Sequence, residues 1–105
     1  MVTNITYDGA VITTVELGQS ATIRCYDKYM VTDIEIEAGH AGILKYGDAE
    51  FHFYAGDTVI VGCADEVMAN DIIVSLPYEM SANIVMRDGS FIMTRDKKIF
   101  IIRED

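Results

Sequence analysis

Basic residues are scarce in this sequence, and their scarcity restricts the partners that the chain can bind. Eight lysines and arginines stand against 17 acidic residues in 105, for a formal net charge of −9. An acidic surface repels the phosphate backbone of nucleic acids and the anionic headgroups of membranes. We therefore expect neither nucleic acid nor a membrane as a partner.

Long apolar stretches are also missing. No apolar run approaches the roughly 20 residues that a transmembrane helix needs, and the start, MVTNITYDG, has neither the basic region nor the apolar segment of a signal peptide. We therefore expect a protein that is made in the cytoplasm of its host cell and carries no export signal. Half of the residues are apolar, which predicts one folded domain over residues 1–105.

Residues that usually carry chemistry are few and scattered. There are two histidines and two cysteines, without the clustered spacing of a metal site. We interpret Cys25 and Cys63 as free, buried thiols, because each closes an alternating apolar segment. There is no glycine-rich phosphate loop and no recognisable nucleophile and base pair. The sequence thus predicts no enzyme activity, no metal and no cofactor.

The most informative feature that is present is an internal repeat. The segment GQSATIRCYDKYMVTDIEI starts at Gly18, and GDTVIVGCADEVMANDIIV starts 38 residues later at Gly56. Similarity at a fixed period is typical of repeated structural units. We therefore divide the chain into repeat one (1–38), repeat two (39–76) and a C-terminal hairpin segment (77–105). Identical pairs at this spacing are Ile5/Ile43, Gly9/Gly47, Gly18/Gly56, Cys25/Cys63, Asp27/Asp65, Met30/Met68, Asp33/Asp71 and Ile34/Ile72.

Apolar and polar residues alternate within each repeat, which is typical of half-buried strands. Strands are predicted at 4–7, 10–15, 20–25 and 30–37, with equivalents in repeat two, then at 83–86, 90–94 and 98–102. Turn residues separate these segments, and no helical period is present. The fold class predicted is all-β, a β-sandwich built from two four-stranded repeats plus a C-terminal hairpin. One repeat cannot bury its apolar face alone, so we expect the two to pack face to face.

Four consecutive apolar residues near the end of the chain, from Ile99 to Ile102, depart from alternation. Such a strand is covered on both faces, either centrally in a monomer or against another subunit. Residues 1–84 carry a net charge of −10 and residues 85–105 a net charge of +1, which agrees with contact between this segment and an acidic surface. We therefore expect a homo-oligomer. The candidate assembly interface is Arg95, Lys97, Lys98, Ile99, Phe100, Ile101 and Ile102.

A second candidate surface combines aromatic and polar residues. Phe51 and Phe53 alternate with Glu50, His52 and Tyr54, which predicts a polar face on one strand. Asp48, Glu50 and His52 could ligate a cation, but same-face neighbours about 7 Å apart favour a solvated face instead. Tyr26 and Tyr29 flank a turn and could stack on a surface glycan. We interpret Asp33 and Asp71 as acceptors for nearby backbone N–H groups.

The first repeat resembles a short repeat of tailed-bacteriophage and prophage structural proteins. That pattern is Ile-x-Tyr-x-Gly, then Gly-Gln-x-Ala-Thr-x-x-Cys, then Met-x-x-Asp-Ile/Val-x-Val. Repeat two matches it less closely, with Lys45 at the tyrosine position and Asp57 at the glutamine position. The matching residues are Ile5, Tyr7, Gly9, Gly18, Gln19, Ala21, Thr22, Cys25, Met30, Asp33, Ile34 and Ile36.

This resemblance implies a function as well as a fold. We expect a non-enzymatic accessory protein of the virion, on the capsid, a head fibre or the tail, that acts by assembly with other virion proteins. The alternative from the residues themselves is a β-sandwich module that binds a carbohydrate or a host receptor.

Overall fold

The structure, a computed structural model, describes residues 2–79, 92–94 and 97–103, with the backbone alone at residue 49 and from 92 onward. Throughout these residues the regular elements are strands, which confirms the all-β prediction. No helix that could cross a membrane occurs in this part of the chain. The strands are β1 (Val2–Tyr7), β2 (Ala10–Glu16), β3 (Ser20–Ile23), β4 (Tyr29–Met30), β5 (Ile34–Glu37), β6 (Gly42–Tyr46), β7 (Ala49–Phe53), β8 (Asp57–Gly62), β9 (Glu66–Val67), β10 (Ile72–Ser75), β11 (Ile92–Thr94) and β12 (Lys97–Arg103).

Two antiparallel sheets form the sandwich. One has six strands in the order β11-β12-β8-β5-β1-β2, and the other has four in the order β3-β10-β6-β7. The short strands β4 and β9 pair separately. Each repeat therefore supplies four strands to the sandwich, and the fourth predicted segment of repeat one divides into β4 and β5 around the bend at 31–33.

The repeats exchange strands between the sheets. In the six-stranded sheet, β2-β1-β5 of repeat one continues into β8 of repeat two, and in the other sheet β7-β6-β10 continues into β3 of repeat one. The prediction that each repeat forms its own face is therefore wrong, although the sandwich itself is confirmed. The chain crosses between the sheets at Gly18 and Gly56, whose φ angles of 85° and 90° favour glycine.

The core lies between the sheets and follows the alternation in the sequence. On β8, Val59 and Val61 are buried and the intervening residues are partly exposed. Each large apolar side chain that is fully buried contributes about 1.5–3 kcal/mol to stability. Both cysteines are free and buried in this core, as predicted.

The C-terminal segment extends the six-stranded sheet. Strand β12 lies between β11 and β8, so its backbone has a partner strand on each edge. The predicted strand at 83–86 and residue Arg95 lie outside the described residues. The assembly interface predicted at 95–102 depends on side chains in this segment, and it stays a prediction.

Candidate binding surface at the β4–β9 end

The loops at one end of the sandwich are held by reciprocal hydrogen bonds between the repeats. Oδ1 of Asp33 accepts from the backbone N–H groups of Cys63 and Ala64 at 2.9 and 2.8 Å. The predicted role of Asp33 as a backbone acceptor is thus confirmed, but its donors belong to the other repeat. These bonds fix the start of the loop that leads to β9.

Asp71 makes the equivalent bonds in the opposite direction. Its Oδ1 accepts from the backbone N–H groups of Cys25 and Tyr26, both at 2.8 Å. The bond from Tyr26, followed by that from Cys25, holds the pKa of Asp71 below its ordinary value, against an opposing effect of desolvation. Arg24 and Lys28 lower this pKa further by charge attraction.

Two tyrosines complete the same frame. The Tyr7 hydroxyl accepts from Val31 N at 2.8 Å, and the Tyr46 hydroxyl accepts from Ala69 N at 2.9 Å. Because Val31 and Ala69 are 38 residues apart, Tyr46 is the counterpart of Tyr7. The alignment without gaps, which placed Lys45 at this position, is therefore wrong by one residue here.

A β-bulge explains the missing residue. The register of β1 with β2 shifts between Ile5↔Thr13 and Thr6↔Val11, which leaves Ile12 as the extra residue. Strands β6 and β7 pair without a shift. Before the bulge the repeats are consequently related by 39 residues, and after it by 38.

An exposed apolar surface covers this frame. Tyr29 pairs with Val67 across β4 and β9, and Tyr26 bridges to Met68. The exposed fractions of Tyr26, Tyr29, Val31 and Val67 are 65, 63, 64 and 58%. We call these four residues the tip patch. The sequence indicated the two tyrosines, but it gave no signal for the valines, since alternation alone does not tell an exposed apolar face from a buried one.

The tip patch is held in place by its backbone and by one side-chain bond. Asp27 N donates to Met68 O and Asp65 N donates to Met30 O, so the two turns are tied to the opposite repeats. The Tyr29 hydroxyl donates to Oδ1 of Asp65 at 3.2 Å. This hydrogen bond and the nearby carboxylate charge raise the pKa of Tyr29. Large apolar side chains exposed together on a fixed backbone are typical of an interaction surface.

The second predicted surface lies on β7, the outer strand of the four-stranded sheet. Phe51 and Phe53 are buried, Glu50 is exposed, and His52 and Tyr54 are half-buried, which confirms the predicted alternation. His52 Nε2 and Glu50 Oε1 are 2.8 Å apart, and this hydrogen bond lowers the pKa of Glu50. Charged residues on an outer strand oppose pairing with another chain. Tyr26 and Tyr29 belong to a different part of the fold.

Metal chemistry finds no support in the part of the chain that the structure describes. No three histidine, cysteine, aspartate or glutamate side chains within it are placed to hold one ion. His40, the histidine between the repeats, places Nδ1 2.7 Å from the carbonyl oxygen of Ala41.

Comparison with known proteins found no matching family model, no similar curated protein and no similar solved structure.

Proposed function

We propose that the chain is a non-enzymatic structural or accessory protein of a tailed-phage virion, and that it acts by binding other virion proteins through the tip patch. The observation that carries this proposal is the exposure of Tyr26, Tyr29, Val31 and Val67 on a backbone fixed by reciprocal hydrogen bonds. The resemblance of repeat one to phage structural repeats supports the assignment to a virion.

Protein–protein contact suits the chemistry of this surface. Tyrosine is enriched in the cores of protein interfaces, where its ring is buried and its hydroxyl is bonded. Because the tip patch is already ordered, a partner gains apolar contact without the entropic cost of fixing a loop. The exposed acids near it, Asp27 and Asp65, favour a partner whose rim carries positive charge.

Purified phage particles provide the test. Particles from the bacterium that carries the gene are expected to contain the chain after density-gradient purification and mass spectrometry. A Tyr26→Ser, Tyr29→Ser variant is expected to be incorporated about tenfold less, as for the loss of about 1.4 kcal/mol of binding. Val2→Ser, which alters an exposed residue of β1, serves as the control.

Two results would contradict this proposal separately. Particles without the chain would remove the virion function, whereas normal incorporation of the double variant would remove only the tip patch. Circular dichroism on both variants would confirm that they fold.

A glycan is the second candidate partner, and one observation favours it. Tyr26 and Tyr29 are exposed beside the carboxylates of Asp27 and Asp65, and tyrosine rings and carboxylates are suited to stack on sugars and to accept bonds from their hydroxyls. A glycan array that compares the wild-type chain with a Tyr26→Ala, Tyr29→Ala variant tests this function. Binding unaffected by the double substitution would exclude these residues from the sugar site.

A further inference from the structure

The two sheets end differently at equivalent strands. Strand β8 is the exchanged strand of the six-stranded sheet, and β12 pairs with its outer edge along Asp57–Gly62. Strand β3 is the exchanged strand of the four-stranded sheet and pairs with β10 on its inner edge. Among the described residues, no strand pairs with the outer edge of β3. An edge of this kind presents backbone N–H and C=O groups that can accept another strand.

Exposed apolar residues lie on the same side of the sandwich. Strands β2 and β3 adjoin there, joined by the turn at Gly18. Val11 and Ile12 of β2 are 57 and 48% exposed, and Leu17 of the turn is 36% exposed. This side therefore combines an open strand edge with apolar surface, whereas β7, the outer strand on the other side, carries the Glu50–His52 pair.

Charge favours a second copy of this chain as the occupant. A molecule of net charge −9 repels its own copies over most of its surface. From residue 9 to residue 26, however, the sequence contains one acid, Glu16, and one base, Arg24, so this stretch has no net charge. Two copies meet the least electrostatic repulsion where these stretches face each other.

We propose that two copies associate through the outer edges of β3, which pair antiparallel about a two-fold axis. Identical strands related by such an axis are antiparallel, and an antiparallel strand is what β8 accepts from β12 at the equivalent edge. The joined four-stranded sheets form one sheet of eight strands. The proposal concerns the chain alone and does not depend on the tip patch or on a virion.

The test is the molar mass in solution, measured by light scattering over a concentration series. The wild-type chain is expected to approach twice 11.7 kDa at high concentration. Thr22→Glu places a charge on an exposed position of β3, and the two-fold axis brings it near its copy. This variant is expected to raise the dissociation constant about tenfold or more, because like charges on facing strands repel.

Thr14→Glu, at an exposed position of β2, is the matched control and is expected to have a smaller effect. A monomer at every concentration would overturn the proposal, and so would dissociation by Thr14→Glu without dissociation by Thr22→Glu. The Tyr26→Ser, Tyr29→Ser variant is expected to dimerise normally, and its dissociation would instead place the contact at the tip patch.

Hydrogen exchange over residues 20–24 gives an independent measurement. Protection that falls on dilution, together with the change in mass, would support the paired edge. Protection that persists in a monomer would show that the chain covers this edge itself, and the proposal would then be wrong. Circular dichroism of each variant would verify the fold.

Discussion

Asp33 accepts backbone hydrogen bonds at Cys63, and Asp71 accepts the equivalent bonds at Cys25. Each carboxylate therefore orders the loop of the other repeat. Together with the exchange of β3 and β8, this reciprocity means that neither repeat completes its own end of the sandwich. The duplication is a structural requirement of the fold, because the first repeat supplies the acceptor that the second needs, and the reverse.

Removal of the Asp33 acceptor is expected to destabilise the protein. In Asp33→Ala the N–H of buried Cys63 loses its partner, for a loss of about 1–3 kcal/mol in the free energy of unfolding. Asp33→Asn keeps an oxygen at the same position and is expected to lose less. Urea denaturation measures both changes. Equal losses in the two variants would mean that charge, and not the acceptor, accounts for the role of Asp33.

Acid is expected to weaken the contribution of Asp71. Its pKa is lower in the folded state than the ordinary value of about 3.9, so its carboxylate stabilises the fold above that pH. This contribution is lost as the pH falls through the folded pKa. Asp71→Asn should therefore be less stable than wild type from pH 5 to 7, by a difference that shrinks below about pH 4.

Urea denaturation at several pH values measures this difference. Comparison of the two chains at each pH cancels the titration of the other acids. A difference that is constant down to pH 2.5, well below about 3.9, would contradict the assignment.

Much of the fold followed from the sequence, whereas the partners of the strands did not. Alternation on β8 predicted which residues face the core, and this is correct for Val59 and Val61. Alternation specifies a face but not the sheet to which that face belongs, so one repeat per sheet and exchanged strands have the same pattern. The exchange depends on the crossings at Gly18 and Gly56, which the sequence indicated only as turns.

The candidate site was predictable in part for a similar reason. Asp33 and Asp71 were identified as backbone acceptors because aspartate at a turn usually has that role. Their donors are 30 and 46 residues away, a distance that no local pattern encodes. Tyr46 was missed because a bulge at Ile12 changes the spacing of the repeats, and bulges have no reliable sequence signal.

The two buttressing tyrosines are expected to make similar contributions. Tyr7→Phe and Tyr46→Phe each remove the hydroxyl that accepts from Val31 N or Ala69 N, for a loss of about 0.5–1.5 kcal/mol. Thermal unfolding of both single variants and the double variant measures these losses. Because the two bonds serve different loops, the losses should be additive within about 0.5 kcal/mol. A loss confined to one variant would contradict their equivalence.

The bond between Tyr29 and Asp65 is expected to be visible by titration. Because Asp65 accepts from the hydroxyl and carries negative charge, it raises the pKa of Tyr29. Asp65→Asn should bring this pKa back toward about 10, the ordinary value for tyrosine. The ring carbon next to the hydroxyl, followed by NMR at alkaline pH, reports the change. An unchanged Tyr29 titration in Asp65→Asn would show that the bond does not form in solution.

A methyl group at Gly42 is expected to disturb the core. Gly42 is buried on β6, and an added Cβ would lie 2.5 Å from Leu76 Cδ2 and from the Phe53 ring. Both side chains are completely buried, so neither can move into solvent. Gly42→Ala should therefore lower the free energy of unfolding by about 1–3 kcal/mol through overpacking.

Phe53→Leu tests that cause because it removes part of the ring that the new methyl group meets. Alone it should be destabilising, since it leaves a cavity. Combined with Gly42→Ala it should cost less than the sum of the two single changes, since the methyl group then occupies the space that the ring has left. Urea denaturation of the four chains measures this coupling. Strict additivity would mean that Gly42 is required for its backbone and not for the space above it.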